Sequence, residues 1–554
     1  MSTGRLIARL TAASRYRPDA PAVTFVDSNL RERPYSFRSL FARADEVATA
    51  MSRRRLGEGA TMGILVGSQE AQIFHYLAAL RVGAVPVILT PPNRKLNREY
   101  YTVTMEAVLQ GSQFTAVVTD LESLQDVPGL LAPFTLEPRT DPAARVEREE
   151  PPSDCSFLQF TSGTTGIKRA VVVSDEAVLA QLDGYARAIS LGDDDCVVSW
   201  LPLYHDMGFI ACLNLPLAHG LHTVMLDPID WVADPALFLR AASRYCATLA
   251  WNPNFAYAFM DDRIRARDID GLALGTLRGL VNCSEPVTYE SQRRFLERFA
   301  TVGVRDDVFW GCYAMAETTF ALTHGTSADP NYLDERGPEG HRAPTTFVST
   351  GRPLDGVELA AVLEDGSPAG ERQLGEIHVR SPFNFSGYYA NPTETDRALR
   401  SGWYRTGDLG YVARGELFVT GRTKDVMIVA GVNVYPHDVE AVVSRAGGVR
   451  PGRVSSFARF DERRATEAII VLAESDLRGA NAERAIVAIR QRLLAALHIS
   501  NFSVHLVPPD WLVKSSSGKM AHRENRKKWE ERCSALGADE RTAGVSEVAF
   551  VTSD

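Results

Sequence analysis

Short apolar runs alternate with helical patterns along the first 300 residues, and this alternation limits the folds open to the chain. The runs TMGILVG (61–67), AVPVILT (84–90) and TAVVTD (115–120) predict buried strands, because they are short, apolar and rich in β-branched residues. Between them, EAQIFHYLAALRVG (70–83) predicts a helix that ends at a glycine. Strands that alternate with helices form a largely parallel sheet covered by helices, so we expect an α/β fold.

The sequence pattern changes twice in the second half of the chain. From about 345 to 423, short strand-like runs separated by glycine and proline predict a small β-rich subdomain. After 424 the pattern returns to mixed helices and strands. Because 554 residues are too many for one core, we expect an N-terminal unit of parallel-sheet α/β subdomains over 1–423, which includes the β-rich subdomain. A smaller, mobile α+β C-terminal domain is expected over 424–554.

Composition indicates a globular protein, with 45% hydrophobic and 23% charged residues. A net charge of −9 argues against a general nucleic-acid or anionic-membrane partner. No apolar stretch is long enough for a membrane span, and the first residues lack the pattern of a signal peptide. The seven cysteines form no CxxC pair, so neither a disulfide framework nor a zinc site is predicted. We expect a cytoplasmic location.

The segment FTSGTTGIKRAVVVS (160–174) places a glycine-rich stretch between two strand-like runs. Its glycines allow a tight path with inward-pointing N–H groups, and its hydroxyl groups add donors, a combination that suits phosphate oxygens. A turn of this composition is, on its own, more often only a turn, and no lysine directly follows the last glycine as in a P-loop. The candidate phosphate-binding residues are Thr161, Ser162, Gly163, Thr164, Thr165 and Gly166.

Further segments shift the interpretation towards a nucleotide site. In chain order they are WLPLYHDMG (200–208), GCYAMAETT (311–319), YRTGDLG (404–410), GRTKDVMIVAGVNVYPHDVE (421–440) and SSSGKMAHR (515–523). Together with the glycine-rich loop, in this order and at these intervals, they resemble the adenylate-forming superfamily of acyl-CoA synthetases, luciferases and peptide-synthetase adenylation domains. The resemblance covers nearly the whole chain, and six ordered motifs make it specific.

The resemblance implies a nucleotide site with defined roles. Tyr313 would stack on adenine, and Glu317 would hold Mg²⁺ together with the triphosphate of ATP. Asp408, placed in a glycine turn, would bind the ribose hydroxyls, and Arg422 would contact the ribose or phosphate region. The further nucleotide-binding positions implied are Ser284, Glu285, Ala314, Met315 and Ala316.

The resemblance also implies residues for chemistry and motion. Lys519 would bridge the substrate carboxylate and the α-phosphate, and Lys424 would be the hinge of the C-terminal domain. His205 would lie where the acyl group and the thiol meet, although a packed histidine at a strand end is the alternative. Trp251 and Phe255 would wall the acyl pocket, with ordinary core packing as the alternative.

Several of these motifs resemble fatty acyl-AMP ligases most, among them LPLYHDMG, NCSEPV (282–287) and RPGRVSSFA (450–458). In those enzymes an extra segment after the Glu317 region is associated with a carrier-protein acceptor, and here that stretch is short. The resemblance therefore favours an acyl-CoA ligase with CoA as acceptor, of a natural-product pathway such as the platensimycin type. The alternative is an acyl-AMP ligase that delivers the acyl group to an acyl carrier protein.

Two residues depart from the superfamily pattern at the end of the glycine-rich loop. Arg169 stands where a lysine normally meets the β- and γ-phosphates, and Ala170 replaces a glycine. One interpretation is a weakened adenylation step, so that a partner enzyme supplies preformed acyl-AMP. The other is neutral drift, because the chain has only 7 lysines among its 60 basic residues.

Overall fold

A computed structural model provides the fold. It describes residues 4–92, 98–111, 114–120, 152–161, 169–339, 346–429, 432–461, 466–497, 501–514 and 519–535.

The α-helices of these residues are α1 Arg5–Leu10, α2 Ala13–Tyr16, α3 Phe37–Arg53, α4 Gln69–Val82, α5 Arg98–Gly111, α6 Asp175–Ala188, α7 Leu215–Ala218, α8 Pro228–Ala233, α9 Ala236–Arg244, α10 Asn254–Arg263, α11 Tyr289–Phe299, α12 Pro392–Ala398, α13 Pro436–Ser444, α14 Gly479–Leu497 and α15 His522–Ala535.

The strands of the first 330 residues are β1 Pro21–Val26, β2 Glu32–Ser36, β3 Thr61–Leu65, β4 Val85–Ile88, β5 Ala116–Thr119, β6 Cys155–Phe160, β7 Ala170–Ser174, β8 Cys196–Ser199, β9 His222–Leu226, β10 Leu249–Pro253, β11 Gly279–Cys283, β12 Phe309–Ala314 and β13 Ala321–Thr326. The later strands are β14 Leu333–Asp334, β15 Phe347–Val348, β16 Arg352–Pro353, β17 Glu358–Val362, β18 Gly375–Arg380, β19 Gly387–Tyr388, β20 Leu399–Arg400, β21 Trp403–Ala413, β22 Glu416–Arg422, β23 Met427–Val429, β24 Val432–Val434, β25 Val449–Asp461, β26 Thr466–Ser475 and β27 Phe502–Val507.

A nine-stranded sheet forms the centre of the N-terminal part, in the order β16-β13-β12-β11-β10-β8-β9-β1-β2. Its inner strands, from β12 to β1, pair in parallel, and the outer strands pair antiparallel. Strands such as β8, β10 and β11 are buried along their whole length, which explains their continuous apolar sequence. The carboxyl ends of these strands lead to the candidate site.

The predicted strands β3, β4 and β5 form a separate parallel sheet in the order β4-β3-β5. The predicted helix between them is α4, which ends at Val82 and is followed by Gly83 with φ 78°. A left-handed residue at this position favours glycine, because it has no Cβ. The α/β class predicted from the alternation of runs is therefore confirmed.

Strands β6 and β7 form an antiparallel hairpin, and β19 joins it on the β7 side. The hairpin is closed by the Thr161 N–H, which donates to the Arg169 carbonyl oxygen at 3.0 Å. Residues 162–168 of the connecting loop lie outside the described residues, so the expectations for Ser162, Gly163, Thr164, Thr165 and Gly166 stay predictions. The hairpin fixes the two described ends of that loop.

The β-rich part predicted for 345–423 contains a five-stranded antiparallel sheet of β17, β18, β20, β21 and β22. The C-terminal part contains the sheet β25-β26-β27, which packs with α13 and α14. This part has its own apolar cluster, which includes Val439, Val471 and Ile489. The boundary at Lys424 and the motion of the C-terminal domain stay predictions.

Within the described part of the chain, no helix combines the length and apolar character needed to cross a membrane.

Gly351 offers a test of the close approach between the chain that leads into β16 and its neighbour β13 in the nine-stranded sheet. It has φ 95°, and a Cβ at this position would lie 1.9 Å from the carbonyl carbon of His324, which is backbone and cannot swing away. Gly366 has a similar φ of 85°, but a Cβ there would meet nothing within 4 Å. Gly351→Ala should therefore destabilise the protein by at least about 3 kcal/mol, and Gly366→Ala by only about 1 kcal/mol.

The measurement is the thermal unfolding midpoint of the two variants and of wild type. Equal shifts for Gly351→Ala and Gly366→Ala would contradict the close approach at Gly351, since the two glycines share the unfavourable backbone conformation and differ in their surroundings.

Candidate active site

A buried carboxylate, Asp408, joins three strands of the candidate site. It is 9% exposed, and it accepts hydrogen bonds from the Tyr313 hydroxyl at 2.7 Å and from Arg422 Nε at 3.1 Å. Tyr313 lies near the end of β12, and Arg422 is the partner of Asp408 in the β21–β22 register. A carboxylate has about four acceptor positions, so Asp408 keeps capacity for two ribose hydroxyls.

The local conformation at Asp408 differs from the glycine turn expected from the sequence. Asp408 lies inside β21, and the preceding Gly407 has φ 72° within that strand. The register of β21 with β18 is irregular at this point, which turns the strand without ending it. The expectation of a turn was wrong, because glycine in TGDLG marks a strand irregularity.

Glu317 lies in a short 3₁₀ turn directly after β12, and Ala314, Met315 and Ala316 connect it to Tyr313. Its side chain is buried, and Oε1 accepts a hydrogen bond from the Tyr388 hydroxyl at 2.9 Å. A single carboxylate fits Mg²⁺ when phosphate oxygens of a nucleotide complete the coordination shell.

The backbone just after Glu317 is strained. Thr319 has φ 63°, a conformation that is rare for a β-branched residue. Its hydroxyl donates to the Phe383 carbonyl oxygen at 2.8 Å, and this contact with the β-rich part holds the strained residue in place. Such strain concentrates at functional sites, where the surrounding contacts impose it.

Arg169, at the end of the β6–β7 hairpin, contacts Tyr388, whose hydroxyl donates to Glu317. Its guanidinium lies 4.5 Å from the centre of the Tyr388 ring, and Nη1 lies 3.2 Å from Glu394 Oε2. Ala170 is the first residue of β7 and pairs with Phe160 in a regular ladder. Ala170 has no positive φ, so its methyl group causes no backbone strain, and the effect of the lost glycine on the approach of a phosphate stays a prediction.

His205 and Asp206 follow β8 and precede a π-helix, Met207–Asn214. The Asp206 carboxylate accepts from the Met207 N–H at 2.7 Å and caps this helix. Burial raises the pKa of Asp206, while the nearby Lys519 opposes that rise. π-Helices are rare and occur often at functional sites.

Ser284 and Glu285 follow the end of β11. Ser284 has φ 73°, so this non-glycine residue adopts the left-handed conformation just after the carboxyl end of β11. The Glu285 carboxylate accepts from the Phe255 N–H, and burial raises the pKa of this carboxyl group. Lys519 and Lys514 partly offset the effect.

Lys519 belongs to the C-terminal part, yet it lies among carboxylates of the N-terminal part. Burial lowers its pKa, and Glu285 and Asp206 counteract this through their negative charges. Lys514 is half-buried, and desolvation lowers its pKa to about 8. Residues 515–518 of the same loop lie outside the described residues. The structure therefore brings the predicted catalytic lysine to the side of the site formed by β8 and β11.

The two predicted pocket residues pack in the core. Trp251 is 0% exposed, and its Nε1–H donates to the Tyr185 hydroxyl at 3.0 Å. Phe255 contacts the edge of the stacked pair Trp200 and Trp231. A small pocket with both polar and apolar lining lies where β4, α5, β6 and the β8 loop meet. It is lined by Ile88, Leu89, Thr90, Met105, Val108, Phe160, Thr161, Tyr204 and His205.

Lys424, the predicted hinge, is exposed in the turn between β22 and β23. Its hinge role stays a prediction, as does the role of each site residue above.

Sequence reasoning did not assign four residues that the structure brings to the site. Tyr388 and Glu394 lie in the segment GYYANPTET (387–395), which matches none of the motifs used in the sequence analysis. Asp206 stands beside the chosen His205, and Lys514 is one of the few lysines. The scarcity of lysine was a usable signal for Lys514, whereas the long-range contacts of Tyr388 and Glu394 had none.

Comparisons with known proteins identify the family of the chain. The sequence matches the AMP-binding enzyme family over residues 10–389. A long-chain-fatty-acid–AMP ligase, FadD26 of Mycobacterium marinum, is 31% identical over 91% of this chain and 93% of its own. A putative acyl-CoA synthetase of Caulobacter vibrioides is 29% identical over 87% and 88% of the two chains.

A solved structure points the same way. It comes from work on the fatty acyl-adenylate ligases of E. coli and L. pneumophila, and it aligns with a TM-score of 0.84 at 27% identity, covering 96% of this chain and 98% of the other. The chain belongs to the AMP-binding, adenylate-forming enzyme family, as its motifs predicted, and it is an adenylate-forming ligase. The resemblance to fatty acyl ligases is confirmed at the level of the family.

The Tyr313–Asp408 hydrogen bond leads to a prediction about stability and AMP binding, and Tyr411 provides the control. Tyr411 donates in the same way to Asp334 at 2.8 Å, and Asp334 also pairs with Arg372. Tyr313→Phe and Tyr411→Phe should each cost about 1.5–3 kcal/mol of stability, because each leaves a buried carboxylate with one donor fewer. Only Tyr313→Phe should weaken AMP binding, by roughly tenfold, since a mispositioned Asp408 binds the ribose less well.

Thermal unfolding and calorimetric titration with AMP measure the two effects separately. A Tyr411→Phe variant that loses AMP affinity as strongly as Tyr313→Phe would show that the effect reflects general destabilisation and not the ribose contact.

Proposed function

We propose that the protein activates a carboxylic acid as acyl-AMP and transfers the acyl group to a thiol. The observation that supports this most is the convergence of residues from distant segments on one site. Tyr313, Glu317 and Asp408 come from the N-terminal part, and Lys519 comes from the C-terminal part. Tyr313, Glu317 and Asp408 would bind the nucleotide, and the Lys519 ammonium would stabilise the reacting groups.

In the first step proposed, a carboxylate oxygen of the acid attacks the α-phosphorus of ATP, and pyrophosphate leaves. The ammonium of Lys519 stabilises the negative charge that develops on the α-phosphate of the transferred adenylyl group. In the second step a thiol sulfur attacks the acyl carbonyl carbon, AMP leaves, and the thiol proton is lost. The C–S bond formed replaces the mixed anhydride bond that is broken.

This pocket is the proposed acyl site, in preference to the surroundings of Trp251. Its lining includes Ile88, Met105 and Val108, which suit a hydrocarbon group, together with Thr161 and His205. An acyl chain would require this small pocket to open, and its carboxyl group would then lie near Thr161 and His205, where the nucleotide chemistry is proposed.

A carrier-protein thiol is the acceptor that we propose first. The relative FadD26 is named a fatty-acid–AMP ligase and not a CoA ligase, which supports an acceptor other than CoA. CoA is the second candidate, because segment 321–351 is short. Within the described part of this segment, Asp334 contacts Arg372 and Tyr411 of the β-rich part. Supplying acyl-AMP with either CoA or a phosphopantetheine-bearing carrier protein separates the two.

We propose that the chain performs both half-reactions. Arg169 keeps a positive charge at the loop end, and the unstrained Ala170 removes the backbone argument for a lost step. The alternative, in which a partner enzyme supplies acyl-AMP, then rests on Arg169 and on the close approach that the glycine replaced by Ala170 would permit.

Lys519→Ala tests the proposed function directly. It should reduce formation of acyl-AMP from acid and ATP by at least about 100-fold, roughly 2.7 kcal/mol of lost transition-state stabilisation. Thioester formation from added acyl-AMP should stay within about threefold of wild type, because the α-phosphorus has already reacted. Lys527→Ala is the control, since Lys527 is exposed and pairs only loosely with Glu531 at 3.9 Å.

Pyrophosphate release and thioester formation are measured on the same preparations. Equal losses of both half-reactions in Lys519→Ala would contradict the role proposed for this lysine. Absence of acyl-AMP formation and of thioester formation in wild type would contradict the function itself.

A further inference from the structure

The backbone of Arg169 is held by hydrogen bonds, whereas its side chain forms only a partly exposed ion pair. Its N–H donates to Thr161 Oγ1 at 3.3 Å, and its carbonyl oxygen accepts from the Thr161 N–H, so the hairpin determines where the residue starts. Its side chain ends in an ion pair with Glu394, in which the two side chains are 30% and 33% exposed. Ion pairs this open to water are weak and exchange readily.

The guanidinium of Arg169 also lies on a ring that touches the candidate magnesium carboxylate. Tyr388 stacks under Arg169 at 4.5 Å and donates its hydroxyl to Glu317 at 2.9 Å. Arg169 therefore lies on the same side of the site as Glu317, where the triphosphate is proposed to bind. A cation in this position is the natural partner for phosphate oxygens.

Glu394 has a second cation available. Its Oε1 accepts from Arg397 Nη1 at 2.5 Å, one turn further along α12, while Oε2 faces Arg169. If Arg169 leaves, Glu394 keeps this neighbouring partner, and no unpaired charge results. Replacing Glu394 by another anion as the partner of Arg169 therefore requires little free energy.

We propose that Glu394 is a positioning residue that holds Arg169 in the absence of a polyphosphate and gives it up to the β- and γ-phosphates of ATP, or to pyrophosphate. This inference rests on the proposed function, in which ATP is a substrate. Glu394 competes with the polyphosphate for the Arg169 guanidinium. The Tyr388 ring keeps this guanidinium close to the site during the exchange. AMP and acyl-AMP lack the β- and γ-phosphates, so their binding does not involve the exchange.

The test is calorimetric titration of the full chain with pyrophosphate, with ATP and Mg²⁺, and with AMP. Glu394→Gln should bind pyrophosphate and ATP roughly two- to fivefold more tightly than wild type, which is the range expected for releasing an exposed ion pair. AMP affinity should not change. Glu358→Gln is the control, because Glu358 forms a more exposed ion pair with Arg380 on the β-rich sheet, and it should change none of the three affinities.

A double-mutant cycle separates the exchange from a general effect of charge. In the Arg169→Gln background, Glu394→Gln should change pyrophosphate affinity by less than half of its effect in wild type, because the competitor has lost its target. The same increase in both backgrounds would overturn the proposal, as would unchanged or weaker pyrophosphate binding in Glu394→Gln. Equal tightening for AMP would overturn it too.

The outcomes for AMP distinguish this proposal from the proposed function. A wild-type protein that binds pyrophosphate and responds to Glu394→Gln, but binds no AMP or acyl-AMP, would contradict the function and leave the exchange intact. AMP binding without any response of pyrophosphate to Glu394→Gln would contradict the exchange alone.

Discussion

The pairing of Asp408 with Tyr313 and Arg422 is the interaction on which the candidate site depends. A buried carboxylate is stable only when donors replace the water that it has lost. Here one donor comes from β12 of the nine-stranded sheet, and the other comes from β22, whose chain continues into the C-terminal part. The requirement to satisfy one carboxylate therefore fixes the relative positions of the large sheet and the β-rich part.

The same principle extends to the other side of the site. Lys519 is half-buried, and a partly desolvated ammonium needs nearby negative charge, which Glu285 and Asp206 provide. Both acids are half-buried as well, and desolvation raises their pKa values. The lysine of the C-terminal part and the acids of the N-terminal part thus favour one another's charged forms beside the space proposed for the acyl-adenylate.

The sequence predicted the elements of this fold better than the contacts between them. The apolar runs of β3, β4 and β5 and the capped helix α4 depend on local patterns, and they were confirmed. The turn expected at Asp408 was wrong, since one glycine serves a turn or a strand irregularity equally well. The Arg169–Glu394 pair joins residues 225 positions apart, and only the pairing of β19 with β7 places them together. No local pattern records such a contact.

A crystal structure with a non-hydrolysable acyl-adenylate, such as an alkanoyl sulfamoyl-adenosine, tests the central claim most directly. The account predicts the adenine against the Tyr313 ring, the ribose hydroxyls on Asp408, and the alkyl chain in the pocket beside Met105 and Val108. An adenine bound elsewhere, or a ribose that makes no contact with Asp408, would contradict it.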